Sequence, residues 1–312
     1  MSYSESQQTL SRRRFLATTG LGIGLGLDLA GCSRKVETNT RTADLRLHAR
    51  SRRRLPDGTV EAVESELEWA ANRTAIIIVD MWDDHWCASA AERVAELAVP
   101  MNEVVTAARD SGVFVIHAPS STVDFYEGTP QRRRAQTAPF AETPVPLSDH
   151  ERWGTTWCWP DPDREPNLPI DDSDMGCDCE PQCEIYDAWT RQIDTLTIHD
   201  DDAITDVGQE AYNLLEERGI DNVILMGVHL NMCVLGRPVG IRQMTYLGKN
   251  VLFVRDMTDA MYNSKMSPYV DHFAGTTLVS DYVEEYWCPS ITSVDLVGGS
   301  PFMFREDPRR AG

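Results

Sequence analysis

The chain has 312 residues, 42% of them hydrophobic, and a formal net charge of -20 at pH 7. A chain of this length and hydrophobic content can bury a sizeable core. An acidic surface repels nucleic acid and anionic lipid headgroups, so the composition argues against both as partners.

The amino terminus resembles a processing segment rather than part of a fold. Residues 11–16 carry a twin-arginine pattern, and the uncharged Gly/Leu-rich stretch 17–27 is too short to span a bilayer. Residues 29–32 resemble the bacterial lipobox, whose cysteine is lipidated. We predict that residues 1–32 are a twin-arginine lipoprotein signal, that Cys32 carries the lipid, and that this lipid alone anchors the exported protein in the cell envelope, on its periplasmic or outer face. The alternative is an apolar helix that packs on the domain.

Residues 33–68 are predicted to link this anchor to the globular part of the chain. As far as about Gly58 the sequence is polar, rich in Arg and Thr, and shows little periodicity, as is typical of a linker. The remainder fits one domain, which we place at residues 69–305.

Short apolar runs alternate with helical stretches along this domain. Thr74–Asp80 is a continuous β-branched run that ends in a carboxylate, which is typical of a buried parallel strand. The sequence further predicts helices over 90–111, 206–218 and 267–274, a helix after residue 233, and strands over 113–117, 223–226, 251–254 and 276–279. Strands that alternate with helices predict an α/β fold with a parallel sheet covered on both faces.

Residues 119–187 form a long insertion in this pattern. It is rich in Pro, Asp and Trp, and its tryptophans favour packing over disorder. Cys177, Cys179 and Cys183 cluster there in a spacing that matches no standard zinc motif. For an exported protein we favour a disulfide from this cluster, with Cys158 as its partner; the alternative is a metal site built on the three thiols.

Cys233 is the candidate nucleophile. It lies in the segment Gly227–Val234, which follows the apolar run Val223–Met226 and precedes a predicted helix. A thiol between a strand's carboxyl end and a helix amino terminus faces ligands in α/β folds, and the helix dipole there lowers its pKa. The alternative is a buried cysteine that acts as a small hydrophobic residue.

The strand end Ile78–Met81 and the pattern Gly227-Val228-x4-Cys233-Val234 resemble the isochorismatase-like cysteine hydrolase family, which includes nicotinamidases. The similarity covers about residues 73–280. It implies a three-layer Rossmann-like fold with a central parallel sheet of about six strands flanked by helices, and amide hydrolysis by an Asp-Lys-Cys triad. Asp80 would be the general base, and backbone N–H groups of a turn, which often holds a cis peptide, would bind the oxyanion. Taken alone, a strand-end aspartate more often caps a loop.

The lysine of that triad is missing, because no lysine occurs between Lys35 and Lys249. Its usual place in the family corresponds to about residues 191–203 here. Arg191 and His199 are the cations available, although an arginine cannot exchange protons at neutral pH and a histidine makes activity depend on pH. The alternative is that the chain has lost the reaction.

Further polar side chains lie close to Asp80 or to the next strand end. Nicotinamidases bind a divalent metal through one aspartate and two histidines, and Asp83, His85 and His117 are the corresponding candidates. The spacing differs from the nicotinamidase motif. A solvated acidic loop with a capping histidine is the alternative that we favour.

Three residues are candidates for substrate contact. Trp82 suits a flat aromatic ligand, although a core or lid position is the commoner role for a tryptophan. His229 lies within the nucleophile segment and can hydrogen-bond a substrate. Arg237 can bind a substrate carboxylate with two hydrogen bonds, or brace the acidic loops instead.

These features predict a hydrolase that cleaves a C–N bond of a small amide-like substrate through a thioester at Cys233. No cofactor is required, with the divalent metal as an open possibility. The alternatives are a non-catalytic module that binds a small molecule, and a redox or metal protein built on the clustered cysteines. The resemblance also implies a homo-oligomer, unless the lipid anchor and the insertion block the interface.

Overall fold

The computed structural model describes residues 44–311. The predicted signal segment and Cys32 lie outside this range. Within it, no helix combines the length and the apolar composition needed to cross a membrane.

A large sheet occupies the centre of the domain. Its strands are β1 (Asp44–Arg54), β2 (Val60–Ala70), β3 (Thr74–Val79), β4 (Phe114–Ala118), β7 (Ala203–Ile204), β8 (Asn222–Val228), β9 (Asn250–Asp259) and β10 (Ser290–Ile291), while β5 (His150–Arg152) and β6 (Thr155–Trp157) form a separate hairpin. The order is β2-β1-β10-β9-β8-β3-β4-β7. The six strands from β10 to β7 run parallel, as the α/β prediction requires, and β1 and β2 pair antiparallel at one edge.

Helices cover both faces of this sheet. They are α1 (Ala88–Asp110), α2 (Pro130–Thr137), α3 (Gly208–Glu217), α4 (Ile241–Tyr246), α5 (His272–Tyr286) and α6 (Val294–Val297). Alternate residues of β3 point to opposite faces, so that Ile77 packs in a core with α3 and α4, and Ile76 packs in a second core with α1. The three-layer α/β arrangement predicted from the sequence is therefore confirmed.

Residues 44–68, which the sequence analysis placed in a linker, instead belong to the antiparallel pair β1 and β2. Leu45, Leu47 and Ala49 are buried on one side of β1 and alternate with exposed residues, which is the period of a half-buried strand. Arg50 then forms an ion pair with the buried Glu284 of α5 at 2.9 Å. The arginine-rich composition concealed this alternation.

Residues 276–279, predicted as a last strand, lie inside α5. The side chain of Asp271 accepts hydrogen bonds from the backbone N–H groups of Phe273 and Ala274, and so caps the helix that contains them. The insertion at 119–187 contains α2 and the β5–β6 hairpin, and its Trp157 is buried. The insertion is therefore packed on the domain, as its tryptophans indicated.

Candidate functional site

Asp80 and Cys233 lie at the carboxyl ends of neighbouring parallel strands. Asp80 directly follows β3, and Cys233 lies in a π-helical turn (Leu230–Val234) that follows β8. The two strands approach closely at Gly227, where a Cβ atom would lie 2.0 Å from the carbonyl oxygen of Val79. Only glycine fits there, and its φ of +115° also favours glycine. The Val228–His229 peptide bond is cis, as the resemblance implied.

The Asp80 carboxylate is completely buried and faces two kinds of partner. Its Oδ1 accepts a hydrogen bond of 2.7 Å from the backbone N–H of Ser120. Its Oδ2 lies 3.5 Å from Nε of Arg237. The Arg237 guanidinium stacks over the ring of Trp157 at 4.3 Å, and its Nη1 donates to Oγ1 of Thr155 at 2.8 Å. The insertion therefore supplies the residues that hold Arg237 against Asp80.

The electrostatics of this site keep the Cys233 thiol protonated at rest. Burial raises the pKa of the Cys233 thiol, the charge of Asp80 raises it further, and Arg237 opposes both. Burial likewise raises the pKa of Asp80, against Arg237 and a hydrogen bond from Cys233. The prediction that a helix terminus lowers the thiol pKa is thus wrong for this site. Arg237 is the cation that offsets the negative charge of this pair.

Neither predicted substitute for the missing lysine contacts Asp80. Arg191 forms an ion pair with Asp194 at 2.9 Å, and its side chain is 34% exposed. The backbone N–H of His199 donates to Asp202, and its carbonyl accepts from Gln131. The cation beside Asp80 is Arg237, which the sequence analysis assigned to substrate binding. The sequence did contain a signal for this position: Arg237 lies four residues after Cys233, and residues four apart in a helical turn share a face.

Asp83, His85 and His117 do not form the metal-ligand set that the resemblance suggested. Asp83 accepts hydrogen bonds from the backbone of residues 190 and 191. Nδ1 of His85 accepts from the N–H of Cys87, and His117 is buried between Gln192 and Asp202. Each side chain therefore has a separate structural partner.

The aromatic residues near Asp80 pack on one another. Trp82 stacks on Trp189 with ring centres 4.4 Å apart, and its Nε1 donates to the carbonyl of Ser120. His85 lies 5.2 Å from the ring of His229, which is buried. Burial holds the pKa of His229 well below its usual value, so this imidazole is neutral. Within residues 44–311, the buried Nε2 of His229 has no hydrogen-bond partner.

A cavity of about 800 Å³ borders the turn that carries Cys233. Its lining includes Asn231 and Met232 of that turn, and Trp153, Trp157 and Trp159 of the insertion. The guanidinium of Arg152 lies 3.8 Å from the ring centres of both Trp153 and Trp159. The wall next to the nucleophile segment is therefore largely aromatic.

The cysteines of the insertion do not pair as predicted. The structure contains seven free cysteines between residues 44 and 311, and these include Cys158, Cys177, Cys179 and Cys183. Cys158 lies beside Gly236, whose carbonyl accepts its N–H at 2.7 Å. Cys177 and Cys179 instead lie next to Cys87, at the start of α1. A residue 90 positions earlier in the chain gives no local signal, which is why sequence reasoning missed Cys87.

Comparison with known proteins gives structural matches alone. No family model matches the chain, and no curated protein matches it. A cysteine hydrolase from Pseudomonas syringae is 18% identical with a TM-score of 0.44, over 73% of this chain and 92% of that one. An isochorismatase from Pseudomonas putida is 12% identical with a TM-score of 0.41, over 72% and 91%. An isochorismatase family protein from Burkholderia thailandensis is 16% identical with a TM-score of 0.39, over 72% and 94%. The fold class rests on the sheet order and helix layers described above.

Proposed function

We propose that this protein hydrolyses a C–N bond of a small amide-like molecule through a thioester on Cys233. The observation that carries the proposal is the grouping of Asp80, Cys233 and Arg237 at the ends of β3 and β8, with 3.5 Å between the carboxylate and the guanidinium. A carboxylate, a thiol and a fixed cation in a buried site provide a base, a nucleophile and charge compensation.

The reaction proceeds in two halves around one shared proton. Asp80 takes the thiol proton as the Cys233 sulfur attacks the amide carbon and a tetrahedral oxyanion forms. The C–N bond then breaks, the proton on Asp80 passes to the leaving nitrogen, and a thioester remains. Water attacks the thioester carbon and gives a proton to Asp80. The C–S bond then breaks, the acid is released, and the proton on Asp80 returns to the Cys233 sulfur, which closes the cycle.

Arg237 contributes charge and no proton. A guanidinium stays protonated in proteins, so it cannot act as an acid or a base. It stabilises whichever member of the pair, Asp80 or Cys233, carries the negative charge. Arg237 would thus replace the electrostatic part of a lysine's role and leave all proton transfer to Asp80.

The aromatic cavity beside the turn supports a flat substrate. Its volume, about 800 Å³, lies in the usual range for small-molecule sites. Trp153, Trp157 and Trp159 line it, and Met232, the residue before Cys233, lies in its wall. An amide on an aromatic or otherwise planar group fits this lining best.

The test is a screen of small aromatic and aliphatic primary amides with the full chain. Ammonia release is measured by a coupled assay, and acylation is measured by mass spectrometry of the Cys233 peptide after an acid quench. We expect an acyl adduct on Cys233 and loss of ammonia release in Cys233→Ala. The matched control is Cys288→Ala, since Cys288 is buried to the same 6% exposure. Ammonia release that survives Cys233→Ala would contradict the proposal, whereas binding of an amide by the wild-type chain without ammonia release would favour the alternative of a binding module.

We also propose that the protein is exported by the twin-arginine route and anchored through Cys32. This proposal rests on the twin-arginine pattern at residues 11–16 and on the lipobox-like residues 29–32. Cys32→Ala should shift the protein from the membrane fraction to the soluble fraction of the envelope. Retention of this variant in the membrane fraction would contradict lipid anchoring.

A further inference from the structure

We propose that Cys87, Cys177, Cys179 and Cys183 form a tetrahedral zinc site, separate from the Cys233 site. The sulfurs of Cys87, Cys177 and Cys179 lie within 4.8 Å of one another. Cys183 packs against the same apolar cluster, and its side chain contacts Cys179. One residue before α1 and two residues of the insertion thus bring three thiols together, and Cys183 beside them is the fourth ligand that we assign.

The distance between the sulfurs fits two ligands of one metal ion better than a disulfide bond. Sγ of Cys87 and Sγ of Cys179 lie 3.9 Å apart. Bonded sulfurs lie about 2.05 Å apart. Two thiolates on one tetrahedral zinc, each with a bond of about 2.3 Å, lie about 3.8 Å apart. A zinc ion in the middle of the group therefore requires little movement of the Cys87–Cys179 pair.

Polar groups at the start of α1 face two of the sulfurs. The backbone N–H of Ser89, in the first turn of α1, donates to Sγ of Cys179 at 3.4 Å, and its hydroxyl lies 3.2 Å from Sγ of Cys87. Amide donors and the positive end of a helix dipole both stabilise negative sulfur. Arg93 lies one turn further along α1 and forms an ion pair with Asp178 at 3.0 Å. Arg93 also forms an ion pair with Asp259 at 2.7 Å, so its charge is balanced by these two carboxylates.

Apolar side chains enclose the group on the other sides. Trp86, Ala90 and Met261 are buried against the cysteines. Four thiolates would leave the metal no open position for a substrate, as in structural zinc sites. Binding releases the four thiol protons to solvent and joins the insertion to the start of α1. The metal would thus secure the loop whose Asp171 and Asp172 border the cavity beside Cys233.

The test begins with the full wild-type chain expressed in zinc-supplemented medium. We expect about one zinc per chain by elemental analysis, and sulfur scatterers at about 2.3 Å in the zinc X-ray absorption spectrum. Disulfides among these cysteines with no bound metal, a different metal, or a zinc spectrum with only nitrogen and oxygen ligands would each overturn the proposal. These measurements need no variant and therefore hold even if a cysteine substitution prevents folding.

Variants then locate the metal. Cys177→Ser and Cys179→Ser should lose the zinc, whereas Cys158→Ser, in the same insertion but away from the cluster, should retain it. Cys233→Ala should also retain zinc, so that this outcome is independent of the amide screen. Retention of zinc in both Cys177→Ser and Cys179→Ser would place the metal elsewhere and contradict the assignment.

Discussion

Cys233 and Cys179, one member of the four-cysteine cluster, hold sulfur in opposite environments. Cys233 is buried beside a carboxylate, and burial together with the charge of Asp80 raises its pKa. Cys179 is partly exposed, and although burial opposes the shift, hydrogen bonds from Ser89 lower its pKa to about 7. Backbone donors stabilise a thiolate, whereas a neighbouring negative charge destabilises one.

This contrast shows that easy alkylation and catalytic function need not coincide. The metal-free cluster should react with electrophiles before Cys233 does, because Cys179 ionises more readily. The nucleophile instead depends on Asp80 to remove its proton when a substrate is bound. Labelling of the whole protein would therefore report on the cluster first, and each peptide must be followed separately.

The largest expected effect comes from the sulfur of Cys233. Cys233→Ala removes the nucleophile, so kcat/KM for any amide that the screen identifies should fall by about 10³-fold or more. Cys179→Ser should change kcat/KM far less, because its sulfur lies outside the reacting group. Steady-state kinetics on the two variants decide the point; equal losses in both would remove the functional distinction between the two regions.

The close approach of β3 and β8 gives the next prediction. Gly227→Ala places a methyl group 2.0 Å from the oxygen of Val79, which requires the strands to separate. We expect the free energy of unfolding to fall by about 3 kcal/mol or more. Gly248→Ala is the control, because Gly248 also has a positive φ of +77° but no atom within 4 Å of the added carbon. Urea denaturation should give a much smaller loss there; similar losses would mean that contact at Gly227 is unimportant.

Asn231 connects the two regions and gives a smaller effect. Its side chain accepts from the N–H of Met261 at 2.9 Å and donates to Asp172 at 2.9 Å. Asn231→Ala leaves the buried N–H of Met261 and the half-buried carboxylate of Asp172 without this partner, so stability should fall by about 2 kcal/mol. Asn167→Ala, an exposed position in the same insertion, should change stability by less than about 0.5 kcal/mol. An Asn231→Ala variant as stable as this control would show that the hydrogen bonds contribute nothing.

Substitutions of Arg237 give the smallest expected effect, a change in the pH midpoint at which Cys233 is alkylated. Its charge lowers the pKa of Cys233, so Arg237→Gln should move the midpoint of Cys233 alkylation to higher pH, by about one unit or more. Arg237→Lys keeps the charge and should stay near the wild-type midpoint. Iodoacetamide labelling of the Cys233 peptide across pH measures both. A midpoint that follows side-chain size instead of charge would contradict the electrostatic role.

The central strands could be predicted from sequence because their signals are local. Thr74–Asp80 and Val223–Met226 are continuous apolar runs, and runs of this kind form strands buried on both faces. Asp80 ends the first run and Cys233 follows the second, which is how both were predicted as site residues. The β1–β2 pair was missed because arginines of β1 are neutralised by acids of α5, a contact over more than 200 residues. Local composition cannot show such pairing.

The remainder of the site depends on which segments the insertion brings together. Arg237 is fixed against Asp80 by Trp157 and Thr155, and neither contact has a sequence spacing that identifies it. Cys87 likewise lies next to Cys179 only because the folded insertion brings the two together, and no sequence spacing identifies this contact. The thiol pKa of Cys233 differs from the prediction because burial and the adjacent carboxylate raise it, and neither could be read from the local sequence.

The most direct test of the account is the pH dependence of Cys233 alkylation in Asp80→Asn, compared with wild type and followed by peptide mass spectrometry in the full chain. Cys288 is the internal reference, since burial raises its pKa and Glu284, not Asp80, is the acid beside it. Removal of the Asp80 charge should move the Cys233 midpoint to lower pH while amide hydrolysis is lost, because the thiol ionises more easily but has no base. An unchanged Cys233 midpoint, or full hydrolysis in Asp80→Asn, would contradict the proposal that these two residues share the catalytic proton.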